Sequence, residues 1–196
     1  TRVTNFLFPH TAVVAIGQWS LVQMHVPIDD EHNWRYEVFY PIDESLDRDA
    51  QRRDREKTYS VPDYRPKRNL ENRYEFDAAE QRTGTYAGVG FDFNVHDTMI
   101  LEGQGPIQDR TRENLAYTDM AIIAARKMLS DAMAEGASLP MSGTDGEAVR
   151  YDDLVTIDAV TAPEDWRTGW VKKQIERRAE SAWSSKIYPS RLKALL

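Results

Sequence analysis

The chain has 196 residues, no cysteine, and 25 Lys and Arg against 32 Asp and Glu, which gives a formal net charge of -7 at pH 7. An acidic surface repels phosphate backbones and therefore disfavours nucleic-acid binding. Without cysteine, these residues offer no disulfide, thiolate nucleophile or Cys-ligated zinc or iron–sulfur site. No apolar run is long enough to cross a membrane, and we expect a cytoplasmic protein without membrane contact.

Two segments near the N-terminus have the composition of β-strands. Residues 11–27, TAVVAIGQWSLVQMHVP, predict two strands, or one strand bent at Gly17. Residues 32–41 alternate between two faces, and this alternation predicts a half-buried antiparallel strand. The two faces would carry Trp34, Tyr36, Val38 and Tyr40 on one side and Arg35, Glu37 and Phe39 on the other.

The next three segments are less regular. Residues 43–57 hold 11 charges of both signs, which is typical of a solvated helix or loop; a docking patch for a protein partner is the alternative. Residues 58–75, with two prolines among Tyr and Arg, predict an ordered but irregular loop. Residues 83–95 carry three glycines among aromatic residues, and we interpret them as a flexible turn followed by a short strand.

Residues 119–135 give the clearest helical pattern in the chain. Thr118 or Asp119 can cap its start, and Gly136 can end it. The apolar stripe at helical spacing predicts a face packed in a core, including its two methionines. The stripe consists of Ala121, Ile122, Ala125, Met128, Leu129, Ala132 and Met133.

The C-terminal part predicts a short strand at 154–160 and a second helix at 163–184, with Pro163 in a favourable first-turn position. Strands early in the chain and a long helix late favour an α+β domain, a sheet with a helix laid across it. The spacing of residues excludes the G-x-S-x-G elbow, the phosphate loop, the dinucleotide-binding fingerprint and the EF-hand.

The four histidines do not form a recognisable metal motif by spacing. They are His10, His25, His32 and His96. A non-haem iron(II) site needs two His and one carboxylate around the metal. No pair here has helical ligand spacing, so each histidine by itself favours a surface or hydrogen-bonded role.

A longer block, EGQGPIQDRTRENLAYTDMAIIAARKML at residues 102–129, resembles the C-terminal catalytic domain of Rieske non-haem iron oxygenase large subunits. The similarity is to the phthalate-dioxygenase-like and aromatic O-demethylase-like group. The VPIDD strand pair at 26–30 and the segment at 72–90 resemble that group in the same order. The matching positions in the longer block are Glu102, Gly105, Pro106, Ile107, Asp109, Arg110, Thr111, Glu113, Leu115, Asp119 and Arg126.

The resemblance implies a helix-grip fold, in which a curved antiparallel sheet wraps a long helix. It also implies that Asp109 is the carboxylate of a 2-His-1-carboxylate Fe(II) site, with Arg110 as a possible orienting neighbour. Asp97 is the alternative ligand. The competing interpretation is that Asp109 only caps the polar segment that follows it.

This chain lacks several metal ligands that members of that group contain. The Cys and His ligands of the Rieske cluster are missing, and so is the Asp-x-x-His-x-x-x-x-His stretch that supplies the two iron histidines. We therefore expect residues 1–196 to be a single domain, the C-terminal part of the catalytic domain of a longer subunit, with the Rieske domain absent. This chain alone would be inactive.

In the parent protein, the resemblance implies a 2Fe-2S cluster that receives electrons from NAD(P)H through a reductase or ferredoxin. The mononuclear iron would use O₂ to hydroxylate or O-demethylate an aromatic compound, and the subunits would form a homo-oligomer such as a trimer. We expect the substrate pocket to be lined by one face of the early sheet. Its candidate residues are Trp19, Leu21, Gln23 and His25.

Two other classes of function stay open from the sequence. A stand-alone helix-grip module would bind an apolar small molecule without metal. A structural or interaction subunit would use the charged 43–57 segment and the Trp-rich C-terminal part, and would bind no ligand.

Overall fold

Antiparallel strand pairing organises the first 41 residues. A computed structural model describes residues 1–16, 19–41, 46–134, 156–166 and 168–172. Within these ranges, the main sheet has the strand order β2-β3-β4-β5. Its strands are β2 Asn5–Leu7, β3 Thr11–Ile16, β4 Trp19–Pro27 and β5 Asn33–Pro41. A smaller sheet pairs β1 Arg2–Val3 with β6 Ile157–Asp158.

The two-strand interpretation of residues 11–27 is confirmed. β3 and β4 pair antiparallel, with Val13 opposite Val22 and Ile16 opposite Trp19. β4 and β5 pair without interruption from Trp19 opposite Pro41 to Pro27 opposite Asn33. Branched and aromatic residues suit this pleated surface, and the unbroken register places alternate residues of each strand on the same face.

The polar face of β5 is less exposed to solvent than its apolar face. Trp34, Tyr36, Val38 and Tyr40 are each 40–52% exposed. On the opposite face, the side chains of Arg35 and Glu37 are only 21% and 12% exposed and form an ion pair at 3.2 Å. The predicted alternation is therefore present, and the charged pair occupies the more covered side.

A small core joins the early strands to the later part of the chain. Val13, Ala15 and Ser20 are almost fully buried. The Ser20 hydroxyl lies 2.7 Å from the Thr156 hydroxyl, and Thr156 is also buried. Next to Thr156, Ile157 and Val171 form a buried cluster with Val3, Ala159 and Trp170.

The helices of the middle segment begin at aspartates. They are α1 Arg48–Thr58, α2 Ala78–Thr83 and α3 Phe93–Glu102. Asp47, Asp77 and Asp92 each accept a hydrogen bond from a backbone N–H in the first turn, which satisfies a donor that the helix start would otherwise leave without a partner. The helix interpretation of the charged 43–57 segment is confirmed over its described part.

One sequence prediction in this region is wrong. Residues 83–95 were expected to end in a short strand, but Phe93 begins α3. The Asp92 carboxylate accepts hydrogen bonds from the Asn94 N–H and side-chain amide. This local cap favours a helix start over the extended conformation that the aromatic residues suggested.

α4 spans Met120–Ala134 and confirms the clearest predicted helix. A 3₁₀ turn at Tyr117–Asp119 precedes it, and the Asp119 carboxylate accepts from the Ala116 N–H at 2.8 Å. The expectation of core packing is wrong here, because none of the fifteen helix residues is buried and Met133 is 82% exposed. Periodicity defines an apolar face but does not say what covers it.

The later elements are short in the described residues. β6 confirms the predicted strand, and a 3₁₀ turn at Pro163–Asp165 is followed by helical residues 169–172. Gly136 and most of the predicted 163–184 helix lie outside the described residues. No helix in the described ranges is long and apolar enough to span a membrane.

The chain divides into two compact units. Unit 1 comprises 1–29, 33–46 and 114–196, and unit 2 comprises 30–32 and 47–113. Unit 1 holds the sheets and α4, so its described part combines an open antiparallel sheet with a long helix. This confirms the α+β class and is compatible with the helix-grip fold. The expectation of one domain over 1–196 stays a prediction.

Substituting Ser20 with Ala should destabilise unit 1, because the buried Thr156 hydroxyl would lose its hydrogen-bond partner. We expect the free energy of unfolding in urea to fall by about 1–3 kcal/mol. The double variant S20A/T156V removes both hydroxyls and should recover part of that loss. Ser130→Ala, on exposed α4, should change the free energy by no more than about 0.5 kcal/mol. Equal losses in the single and double variants would contradict the role of the bond.

Candidate functional site

Asp109 lies at the end of an exposed loop that follows α3. Gly103 ends the helix, and Gly105 adopts a φ of +85° that favours glycine. Pro106 and Ile107 follow it on the surface. The Asp109 side chain at the end of this loop is exposed to solvent.

The Asp109 carboxylate is held by the residue two positions ahead. Its Oδ1 accepts from the Thr111 N–H at 3.0 Å and from the Thr111 hydroxyl at 2.6 Å. Asp109 thus caps a 3₁₀ turn at Arg110–Arg112, and the capping interpretation is observed. Both bonds converge on Oδ1, and within the described residues Oδ2 accepts no hydrogen bond.

The same hydrogen bonds favour the charged form of Asp109. The Thr111 hydroxyl and then the Thr111 N–H hold the pKa of this carboxyl below its ordinary value of 3.8. A carboxylate that stays ionised and keeps one oxygen open has the properties of a hard ligand for a divalent cation. The geometry supplies one such ligand at this position.

A buried tyrosine fixes the end of α3 from which this loop starts. Tyr74 is 7% exposed and packs with Val89 and Val95. Its hydroxyl donates to Glu102 Oε2 at 2.7 Å. Burial, followed by the hydrogen bond and charge of Glu102, raises the pKa of Tyr74 to about 12. Tyr74 therefore stays a neutral hydrogen-bond donor at any physiological pH.

The four candidate pocket residues on β4 share one face. Trp19, Leu21, Gln23 and His25 are alternate residues of a strand with unbroken pairing. Leu21 is buried and the other three are partly covered. They form a strip that grades from apolar at Trp19 to polar at His25.

The polar end of this face carries an ion pair that the sequence alone did not single out. Gln23 Nε2 donates to Glu37 Oε1 at 3.2 Å, and the Arg35 guanidinium approaches the same oxygen at 3.2 Å. Gln23 lies opposite Glu37 and His25 opposite Arg35 in the β4–β5 register. Correct pairing of the two strands would have revealed the cluster, because directly opposite residues share a face.

This environment favours the neutral form of His25. Burial and then the positive charge of Arg35 lower its pKa from the ordinary value of 6.5. A hydrogen bond with Asn33 and the charge of Glu37 act in the opposite direction, and His10 adds to the lowering. A neutral imidazole can both donate and accept one hydrogen bond, as a polar substrate group requires.

The roles of Asp109 and of the four β4 residues stay predictions. Asp109 belongs to unit 2, and the four β4 residues belong to unit 1. Asp97 is an exposed residue in the middle of α3. Across the described part of the chain, no group of three or more His, Cys, Asp or Glu could hold a metal ion. The described residues therefore do not by themselves supply the three ligands of the predicted iron site.

Comparison with known proteins identifies the class to which this fold and the Asp109 block belong. The family model described as "LigXa C-terminal domain like" matches residues 1–187, and the chain belongs to that family. The chain is also 27% identical over 172 residues to the phthalate 4,5-dioxygenase oxygenase subunit of Pseudomonas putida. The aligned region covers 85% of this chain but 39% of that relative.

These similarities confirm the resemblance to the phthalate-dioxygenase-like group and are consistent with the C-terminal domain of a Rieske oxygenase. The family match extends through both units, so it includes β4 as well as Asp109. The chain spans about two fifths of the length of the curated relative.

Replacing Thr111 with Val should raise the pKa of Asp109 toward its ordinary value, because the shorter of two stabilising hydrogen bonds is lost. Thr111→Ser keeps the hydroxyl and should keep the pKa low. A carboxyl-carbon NMR titration measures both. A lowered pKa stabilises the fold above the ordinary Asp pKa, and this contribution disappears as pH falls through the folded value. Identical titration midpoints in all three proteins would show that the Thr111 hydroxyl is not the cause.

Replacing Arg35 with Gln should raise the pKa of His25, because a nearby positive charge no longer opposes protonation. Arg35→Lys keeps the charge and should leave the pKa low. Histidine NMR titration reports the midpoints. Since the folded pKa is below 6.5, stability is complete above that pH and falls as pH drops toward the folded value. His25→Gln should flatten this dependence, and an unchanged slope would contradict it.

Proposed function

We propose that this chain is the C-terminal part of the catalytic domain of a Rieske-type oxygenase. The parent protein uses O₂, mononuclear Fe(II) and electrons from NAD(P)H, delivered through a reductase or ferredoxin, to hydroxylate or O-demethylate an aromatic compound. The family match over residues 1–187 supports the domain, and the relative's name as a dioxygenase subunit supports the reaction type. The single observation that carries the site is the Asp109 carboxylate, ionised and held through one oxygen.

In this proposal Asp109 is the carboxylate ligand of the iron. The two histidine ligands and the 2Fe-2S cluster come from a part of the protein outside these 196 residues. The aligned region covers only 39% of the curated relative, so most of that relative lies outside the aligned region. The iron, when bound, supplies the activation of O₂. The residues of this chain hold the ligand and shape the surroundings of the substrate.

Thr111 has a specific task in this arrangement. Its two hydrogen bonds to Oδ1 orient the carboxylate and keep it charged, and they leave Oδ2 available as a ligand. Hydrogen bonds of this kind to metal ligands typically change affinity or activity by about 10- to 100-fold when removed. The Tyr74–Glu102 hydrogen bond holds the start of the loop and limits where Asp109 can lie.

The face of β4 is proposed to line the aromatic substrate. Trp19 offers apolar contact area, and Gln23 and His25 offer hydrogen bonds, whereas Leu21 is almost fully buried and supports the strand from within. Arg35 is engaged by Glu37, so the cluster as a whole has little net charge. This strip therefore suits an apolar ring bearing a hydroxyl, ether or other hydrogen-bonding group.

The Asp109 assignment is tested in the parent polypeptide, which contains these residues together with the histidine-bearing segment. We expect Asp109→Ala to lose iron and to lower product formation by more than about 100-fold, since losing a ligand should exceed the effect of losing a supporting residue. Iron content by elemental analysis and aromatic product by chromatography are the two measurements. Asp109→Glu, which keeps a carboxylate at a different reach, should retain part of the iron.

Asp97→Ala is the matched control, because it removes another exposed acidic residue of unit 2. It should retain iron and activity. If Asp97→Ala loses iron and Asp109→Ala keeps it, the ligand assignment is reversed. If neither variant changes the iron content, or if no histidine-bearing segment accompanies these residues, the oxygenase proposal fails and the metal-free binding module takes its place.

A further inference from the structure

A partly covered ion pair lies on the face of β4 and β5 to which the substrate is assigned. The Arg35 guanidinium lies 3.2 Å from Glu37 Oε1, and both side chains are largely shielded from solvent. Gln23 Nε2 donates to the same carboxylate oxygen at 3.2 Å. Because partial burial reduces screening by water and salt, a charge on this face acts more strongly than a charge on the open surface.

His10 extends this face on the side of β3. The His25 N–H donates to the His10 carbonyl oxygen at 3.0 Å, which continues the β3–β4 pairing one residue beyond Thr11. The charge of His10 also contributes to the lowered pKa of His25, as expected for two imidazoles that lie close together. On the other side, His25 lies opposite Arg35. Three nitrogen-bearing side chains therefore form a row across the sheet.

The row of His10, His25 and Arg35 has the composition of a carboxylate site. A guanidinium can donate two parallel hydrogen bonds to one carboxylate, and an imidazole beside it adds a further donor. Residues directly opposite on paired strands have Cβ atoms about 4.5–5.5 Å apart, so one small anion can contact two of these side chains. By itself, the row would favour a ligand that carries a negative charge.

Glu37 reverses this preference. Its carboxylate engages Arg35, and Gln23 donates to the oxygen that lies nearest the guanidinium. A ligand carboxylate on Arg35 would lie beside a second negative charge. Displacing Glu37 instead would remove its ion pair while its side chain is still partly buried, which is costly. An uncharged ligand meets neither penalty, so the face discriminates by charge.

Uncharged polar groups on a ligand still find partners on this face. The Gln23 amide is uncharged and the surroundings of His25 favour its neutral form, so both side chains offer hydrogen bonds to a hydroxyl or ether oxygen. We propose that Glu37 is a specificity-determining residue of this face, which occupies Arg35 and thereby excludes aromatic rings that carry a carboxylate. The inference rests on the proposed assignment of this face to the substrate, and it does not depend on the role of Asp109.

The test uses this 196-residue chain with benzyl alcohol and benzoate as probes, which share a ring and differ in charge. Calorimetry measures the affinities, and amide NMR shifts at 23–26 and 34–38 locate the binding. We expect the unaltered chain to bind benzyl alcohol more tightly than benzoate. Glu37→Gln should tighten benzoate binding about tenfold or more, because Arg35 then donates to the ligand. The same variant should change the binding of benzyl alcohol much less.

Three further variants separate the charge of Glu37 from its contribution to packing. Glu37→Asp keeps the negative charge and should keep benzoate excluded. The double variant R35Q/E37Q should lose the gain in benzoate affinity, because the gain acts through the guanidinium. Glu56→Gln removes one negative charge from an exposed position of α1 and should leave both affinities unchanged.

Several outcomes would overturn the proposal. Equal affinity of the unaltered chain for the two probes would do so, and so would a Glu37→Gln variant without a gain for benzoate. A gain that persists in R35Q/E37Q would show that Glu37 does not act through Arg35. If neither probe shifts the amide signals of β4 and β5 in any variant, this inference and the substrate assignment of the face both fail. The iron assignment of Asp109 is measured separately by iron content, so the oxygenase proposal would still stand.

Discussion

Aspartate capping determines where the helical segments of unit 2 begin. Asp47, Asp77, Asp92 and Asp109 each accept a hydrogen bond from a backbone N–H two or three residues ahead. A carboxylate has about four lone-pair sites, and a cap uses only one or two of them. Capping therefore holds Asp109 and still leaves Oδ2 for a cation. The sequence presented the cap and the metal ligand as alternatives, but the geometry makes them compatible, because the cap occupies only Oδ1.

Alternation and periodicity predicted β3, β4, β5 and α4, but not what covers their faces. The apolar residues of β5 alternate as expected, and yet Trp34 and Tyr36 lie on its more exposed side. α4 has the expected helical stripe without a buried residue. Burial depends on what packs against a face, and a local pattern contains no information about distant partners. The pairing of Gln23 with Glu37 depends on strand register in the same way.

Local side-chain hydrogen bonds explain what the sequence prediction missed in unit 2. The start of α3 depends on Asp92 bonding to Asn94, a signal that the surrounding glycines and aromatic residues concealed. The turn at Arg73–Glu75 has positive φ at all three residues, which none of these residue types favours. Asn69 and Asn72 lie just before it, and their side chains hydrogen-bond the backbone of Lys67, Asn69 and Glu71. Such hydrogen bonds depend on individual positions. They do not repeat at a regular spacing in the sequence that a pattern search could detect.

The left-handed turn bears directly on the Asp109 loop. Each residue in that conformation costs about 1–3 kcal/mol, and the burial of Tyr74 with its bond to Glu102 helps to offset this cost. The turn thus places the Tyr74 hydroxyl where it binds Glu102, the last residue of α3. Between Glu102 and Asp109 the loop has few contacts, and a Cβ atom at Gly105 would meet nothing within 4 Å. A carboxylate at the end of such a loop reaches a defined position only if both ends are fixed. Tyr74 fixes the first end, and the Thr111 cap fixes the second.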